Sequence, residues 1–140
     1  MIYVDTNVLI AYINPREKLH SKAHDLLLKY RSDVLAVSQL VILELYSVFS
    51  RVMGVSDVEV EALVNYTLNK CGVKNVTVEW DELHSFSLNY ANKLKLKTLD
   101  LLHVIAAHIM GAKTLITFDK DVVERKNIIK DLLGIVVLGF

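Results

Sequence analysis

A three-residue apolar run, Ile2-Tyr3-Val4, ends on a carboxylate, Asp5, and the chain restarts at once with Thr6-Asn7 and a second apolar segment, Val8-Leu9-Ile10. No other stretch constrains the fold as much. It reads as a buried strand that hands a carboxylate to the rim of a sheet, and in open α/β sheets the rim outside the carboxyl ends of the strands is where ligands bind. Asp, Thr and Asn are also favoured helix N-caps, so Asp5 can equally open the next helix. Three further carboxylates in comparable positions bear on the choice.

The rest of the chain alternates short apolar runs with amphipathic segments. Pro15, the only proline, marks a turn after the first short helix. Ser21 is expected to cap a helix from Lys22 to Tyr30, with Ala23, Leu26, Leu27 and Tyr30 at helical spacing. Val34 to Val37 reads as a second strand, and Ser38 as the cap of a long helix from Gln39 to Met53, closed by Gly54. Ser56 and Glu59 have the capping-box spacing and open a helix that runs to Cys71 and stops at Gly72. Val76 to Val78 is a third strand candidate, followed by a helix over Glu82 to Leu94 and a mostly apolar helix from Thr98 or Leu99 to Met110. Thr114 to Thr117, a short helix over Lys120 to Lys126, and a last strand over Ile135 to Leu138 complete the pattern. Such alternation predicts an α/β fold with a mainly parallel sheet covered on both faces by helices.

A chain of 140 residues suits one domain with a proper core. Hydrophobic residues make up 53% of it and the mean hydropathy is +0.36, so apolar surface must be covered by core or by a partner. The longest apolar runs are interrupted by Glu44, or by His103 and His108, and fall short of the ~20 residues of a membrane span. The first run is too short for a signal peptide and the single Cys71 has no disulfide partner, which together suit a reducing cytoplasm. Sixteen basic residues balance sixteen acidic ones, so a nucleic-acid binder would need its cations gathered on one face.

Four acids stand where their apolar surroundings do not predict them. Asp5 ends the first strand, Glu44 interrupts Leu40-Val41-Ile42-Leu43, Asp100 lies in the first turn of an apolar helix, and Asp119 follows the fourth strand. The helix carrying Glu44 is apolar enough to be buried nearly all round, so that carboxylate needs a cation, a shared proton or a metal. Each acid has a plain alternative: Glu44 could pair with Arg51, Asp100 could favour its helix N-terminus, and Asp119 could cap the next helix. If the strands bearing Asp5 and Asp119 are parallel, however, all four reach one rim. Two like charges ~5 Å apart repel by roughly 3 kcal/mol at an effective dielectric near 20. Oxygen donors without a zinc-type Cys/His set favour Mg²⁺ or Mn²⁺ as the counter-ion.

The blocks Val4-Asp5-Thr6-Asn7-Val8-Leu9, Ser38 with Leu43-Glu44-Leu45, Thr98-Leu99-Asp100-Leu101-Leu102-His103, and Leu115-Ile116-Thr117-Phe118-Asp119-Lys120-Asp121 occur in this order. In that set the chain resembles the PIN-domain ribonucleases, and most closely the VapC-type toxins of prokaryotic toxin–antitoxin pairs. The resemblance runs over essentially the whole chain and implies one PIN domain over residues 1–140, a three-layer sandwich with a sheet of about five strands. It implies that Asp5, Glu44, Asp100 and Asp119 are an acidic quartet holding Mg²⁺ or Mn²⁺, with Thr6, Asn7 and Thr117 in support. Asp121 is a second acid in the last block, and Asp119 is preferred because it directly follows the strand end.

The activity so implied is metal-dependent hydrolysis of RNA phosphodiesters, by a homodimer silenced by a small cognate antitoxin. His103, one turn beyond Asp100, either faces the same site or is a hydrogen-bonded core histidine. Arg16, Lys18, His20 and Lys22, with Tyr12 nearby, are the candidates for holding single-stranded RNA. Two other readings compete: a PIN fold kept as a non-catalytic RNA- or protein-binding module, and a PIN nuclease of RNA maturation without an antitoxin. Loss of quartet acids would mark the first, and all four are present. A dehalogenase-type phosphatase would need an acid at position 7, where the chain has Asn7.

Overall fold

The computed structural model describes residues 1–139, and of Met53 only the backbone. Its elements run β1 (Ile2–Val4), α1 (Thr6–Ile13), α2 (His20–Lys29), β2 (Leu35–Val37), α3 (Gln39–Met53), α4 (Asp57–Cys71) and β3 (Lys74–Asn75). They continue as α5 (Trp80–Leu94), α6 (Thr98–Ile109), β4 (Thr114–Ile116), α7 (Lys120–Glu124), α8 (Lys126–Leu133) and β5 (Val136–Leu138).

The five strands are all parallel, in the order β3-β2-β1-β4-β5. β1 is central and enclosed on both faces: Tyr3 and Val4 are fully buried and Ile2 nearly so. From β1 the chain steps outward through β2 to β3, then returns across the sheet to β4 and steps the other way to β5. With right-handed crossovers, α1–α4 cover one face and α5–α8 the other. The packing agrees, since α1 touches α2, α3 and α4, while α5 lies on α6. The strand order reverses between β1 and β4, and beyond the carboxyl ends of such a pair an open α/β sheet leaves a crevice.

The expected architecture is present, with local corrections. The third strand is Lys74–Asn75 rather than Val76–Val78: Val76 still donates to the Val37 carbonyl at 2.8 Å, but the Gln39 amide takes both backbone groups of Val78, at 2.6 and 2.9 Å, and ends the ladder. Ser21 does not cap α2, which starts at His20 with Leu19 as N-cap and no side-chain cap bond. Docking onto α1 sets that start, for His20 Nδ1 bonds the Ala11 carbonyl at 2.8 Å and His24 Nε2 bonds the Tyr12 carbonyl at 3.1 Å. α5 begins at Trp80, two residues before Glu82, and α8 follows the predicted Lys120 helix as an element of its own, closed by Gly134. α3 is not buried all round, since Leu43 is 63% and Val52 72% exposed. Cys71 is a buried thiol that its surroundings push up to about 12. Among the described residues no helix is long and apolar enough to cross a membrane.

Gly139 fits where a side chain would not. A Cβ there would stand 2.3 Å from the Thr117 carbonyl oxygen, while the Thr117 amide is bonded to the Leu138 carbonyl at 2.9 Å. Gly139→Ala is therefore expected to lower stability by about 1–3 kcal/mol, as overpacking does, with a urea midpoint as the readout; an unchanged midpoint would show that the strand end shifts freely.

Candidate active site

Asp5 closes β1 and caps α1. Its Oδ1 accepts the Thr6 amide N–H at 2.7 Å and its Oδ2 accepts the Thr117 hydroxyl at 2.7 Å. Each carboxylate oxygen therefore carries one protein hydrogen bond and keeps a free lone pair. The Asp5 amide donates to the Ile116 carbonyl at 2.9 Å, continuing the β1–β4 ladder, so Thr117 arrives beside Asp5 by strand register. Thr117 Oγ1 also accepts the Asp119 amide at 3.0 Å, and Asn7 Oδ1 accepts the Phe118 amide at 3.1 Å. Three side chains thus staple the segment after β4 to the start of α1.

Asp119 caps α7, accepting the Asp121 amide at 2.9 Å, and Asp100 is the third residue of α6. Carboxylate oxygens of Asp100, Asp119 and Asp121 lie within 4.8 Å of one another. Burial, then the charges of Asp119 and Asp5, push the Asp100 carboxyl up to about 6. Asp121 is exposed on the rim and forms an ion pair with Lys97 at 3.8 Å.

Glu44 projects from the second turn of α3 and is half-buried. Its Oε1 accepts the Thr6 hydroxyl at 2.7 Å and pairs with His103 Nε2. His103, 4% exposed, comes from α6, and its Nε2 also stands 3.8 Å from Asp5 Oδ1. Burial alone would draw the imidazole down, but Asp5 and Glu44 outweigh it and hold His103 above its ordinary value. Burial would raise Glu44, and the His103 and Thr6 contacts overcome it and keep the carboxylate ionised. On its far side His103 Nδ1 meets the Tyr3 hydroxyl at 2.7 Å, and Tyr3 meets Ser38 Oγ at 2.7 Å.

All four predicted acids line one cleft of about 160 Å³, together with Thr6, Asn7, Ile10, Val48, Leu99 and His103. Thr117 braces the cleft from below, and Asp121 sits at its edge. The Arg51 guanidinium turns back to the Ser47 carbonyl at 3.2 Å and leaves Glu44 to His103. The expected RNA contacts are not part of the cleft's own lining, but Arg16 lines the adjoining groove, which shares Ile10 and Val48 with it. Tyr12 is near the far end of α1, about 9 Å of helix from Thr6, where His24 stacks on it at 3.9 Å between centroids and His20 of α2 bonds the Ala11 carbonyl. Sequence reasoning did not single out Tyr3 or assign a role to Ser38 beyond its cap; a lone tyrosine in an apolar strand was the available signal.

The donor set suits a hard divalent cation. Oxygens dominate, His103 has both nitrogens engaged, and the cations that reach the cluster are His103 and, at its rim, Lys97. A larger cavity of about 360 Å³ beside Tyr12, Arg31 and Lys70 has, among the described residues, Asp25 as its one acid and no such cluster.

A family model described as PIN domain matches residues 2–128. The chain belongs to the PIN-domain family. Among solved structures it is similar to VapBC2 from Rickettsia felis bound to a DNA fragment from their promoter, at 19% identity and TM-score 0.67, covering 100% of this chain and 99% of that one. A toxin–antitoxin complex from Klebsiella pneumoniae aligns at 19% identity and TM-score 0.68, covering 97% and 96% of the two chains. Mycobacterium tuberculosis VapC20, described as a sarcin-ricin loop cleaving toxin, aligns at 18% identity and TM-score 0.65 over 89% and 94%. No curated protein sequence matches the chain.

In the metal-free protein Asp100 titrates higher folded than unfolded. Between pH 4 and 6 the native state then holds the extra proton, so this residue's contribution to stability falls as pH rises through that window. Asp100→Asn is expected to raise the denaturation midpoint relative to wild type at pH 7.5 and to raise it less at pH 4.5. A difference independent of pH would contradict the assignment.

Proposed function

We propose that this protein is a divalent-metal-dependent endoribonuclease, the toxin of a VapBC-type pair, working in the cytoplasm as a homodimer. The observation that carries this reading is the convergence of Asp5, Glu44, Asp100 and Asp119 on one cleft at the point where the strand order of a PIN fold reverses. Likeness to structures described as toxin–antitoxin complexes supports the pairing with an antitoxin, and one likeness, to a toxin described as cleaving the sarcin-ricin loop, supports RNA as the substrate.

In this reading Asp5, Asp100 and Asp119 hold Mg²⁺ or Mn²⁺, with Asp121 at the margin. The bound cation would lower the pKa of a water and stabilise charge on the leaving oxygen of the phosphodiester. The protein supplies the rest. Thr6 and Thr117 fix both oxygens of Asp5, the N-termini of α1 and α6 moderate the repulsion among the acids, and Glu44 lies beside the cluster with one oxygen uncommitted.

Two neighbouring surfaces support the partners. A groove of about 470 Å³, lined by Ile13, Phe49, Val52, Leu63 and Tyr66, shares Ile10 and Val48 with the cleft, as an antitoxin helix entering along its apolar face would require. On the other side, Lys95, Lys97 and Arg125 line a notch of about 220 Å³ that reaches Asp121. Phosphates flanking the scissile bond are assigned to that notch rather than to Arg16, Lys18, His20 and Lys22. Trp80 and Leu88, both exposed on α5, are apolar surface available to a second copy.

Antitoxin-free protein incubated with structured and single-stranded RNAs is expected to cut in Mg²⁺ or Mn²⁺ and not in EDTA. Asp5→Asn, which keeps a capping residue, is expected to reduce cutting to background with the fold intact. A variant that cuts like wild type would rule the quartet out.

With RNA binding measured by anisotropy in EDTA on the Asp5→Asn protein, replacing Lys95, Lys97 and Arg125 together by alanine is expected to reduce the salt slope by about 2. That is roughly 0.7 per lost phosphate contact on a single strand. An unchanged slope would send the strand elsewhere.

A further inference from the structure

Glu44 is held by only one of its two oxygens. The Thr6 hydroxyl donates to Oε1 at 2.7 Å, the His103 Nε2 proton goes to that same Oε1, and Oε2 takes no hydrogen bond among the described residues. Behind His103 a buried row of polar groups continues across the sheet. Nδ1 meets Tyr3 Oη at 2.7 Å, Tyr3 Oη meets Ser38 Oγ at 2.7 Å, and Ser38 Oγ accepts the Leu40 amide at 3.2 Å. Tyr3 and Ser38 are fully buried and His103 nearly so, which is costly unless every member is bonded, as each one is. The row joins β1, the start of α3 and the second turn of α6, three elements far apart in sequence. Glu44 groups with Asp5 and His103, whereas Asp100, Asp119 and Asp121 form a separate oxygen cluster.

We infer that His103, oriented by Tyr3 and Ser38, is a positioning residue that commits Glu44 Oε1 to the protein and leaves Oε2 as the acceptor for a water molecule in the cleft. This rests on the nuclease reading given above and adds a division of labour to it. Asp5, Asp100 and Asp119, with Asp121 at the margin, are for the cation, and Glu44 is for the water.

The row does the same work in either protonation state of the imidazole. If His103 is neutral with its proton on Nε2, Nδ1 accepts from the Tyr3 hydroxyl, which accepts from Ser38. If His103 carries both protons, Nδ1–H donates to Tyr3, whose hydroxyl turns to Ser38. In both cases Nε2–H faces Glu44, and only the direction of two hydroxyls changes. Tyr3 is suited to this place because a hydroxyl donates and accepts, and a phenylalanine would break the row while keeping the ring.

The test uses full-length antitoxin-free protein and the variants His103→Leu, His103→Gln and Tyr3→Phe. Loss of the outer partner of a site residue typically costs 10–100-fold in activity or metal affinity. His103→Leu is expected to lower kcat by about that factor with KM within about twofold, and Mn²⁺ affinity, read by electron paramagnetic resonance, is expected to stay within about twofold. His103→Gln carries an amide N–H able to replace Nε2–H and is expected to recover most of the loss. In the metal-free protein, nitrogen spectra of the His103 ring should carry a proton on Nε2, and Tyr3→Phe should shift Nδ1.

Melting temperatures separate this role from a structural one. A His103→Leu protein that melts lower but turns over as wild type does per folded molecule overturns the proposal. So does a His103→Gln protein no better than His103→Leu, or a loss confined to Mn²⁺ affinity, which would make Glu44 a metal ligand. Wild-type protein that cuts no RNA defeats the nuclease reading itself; active wild type with an equally active His103→Leu defeats the positioning role alone.

Discussion

Repulsion among carboxylates is the constraint on which this structure turns. Four acids line a cleft of about 160 Å³, and each close pair opposes assembly by roughly 3 kcal/mol at an effective dielectric near 20. The surroundings answer that repulsion group by group. Asp5 receives two donors, Glu44 receives the Thr6 hydroxyl and the His103 ring, and Asp119 receives a backbone amide. Asp100 is pushed up to about 6, by burial first and then by the charges of Asp119 and Asp5. The parallel sheet makes the concentration of charge possible, because adjacent parallel strands end at one rim and the helices that follow present their N-termini there.

Much of this was legible in the sequence because cap and site use the same atoms. Asp5 and Asp119 were each open to a second description, as helix caps, and each is a helix cap. The descriptions do not compete: a cap residue accepts one or two hydrogen bonds and retains lone pairs for a ligand. Glu44 was legible for a different reason, as a charge amid Leu40-Val41-Ile42-Leu43, although the helix around it proved exposed at Leu43 and Val52. Its partner was legible only as a histidine able to face the same site, not as the group that pairs with Glu44. His103 stands 59 residues away in sequence, and its use depends on Tyr3, whose hydroxyl no periodicity argument distinguishes from the apolar side chains beside it.

The errors were local, and each came from a side chain that spacing cannot see. Val76 to Val78 has the composition of a strand, but the Gln39 amide occupies Val78. Ser21 has the chemistry of a cap, but His20 and His24 dock α2 onto the end of α1 and fix its start two residues earlier. The same docking turns His20 and His24 onto α1, while Arg16 of the expected cationic loop lines the groove beside the carboxylates. A notch lined by Lys95, Lys97 and Arg125 beside Asp121 and Glu124 was hidden because its members come from two segments that meet only in the folded chain.

β5 follows every acid of the cleft in sequence, yet it is the strand that flanks β4 on the side away from β1. Its Leu138 carbonyl takes the Thr117 amide, and Gly139 lies against the Thr117 carbonyl. During synthesis, which runs from the N-terminus, all four carboxylates leave the ribosome before the strand that braces the threonine beneath Asp5. The order of the chain thus makes the brace beneath Thr117 the last of the cleft's supports to emerge, after every side chain that lines it.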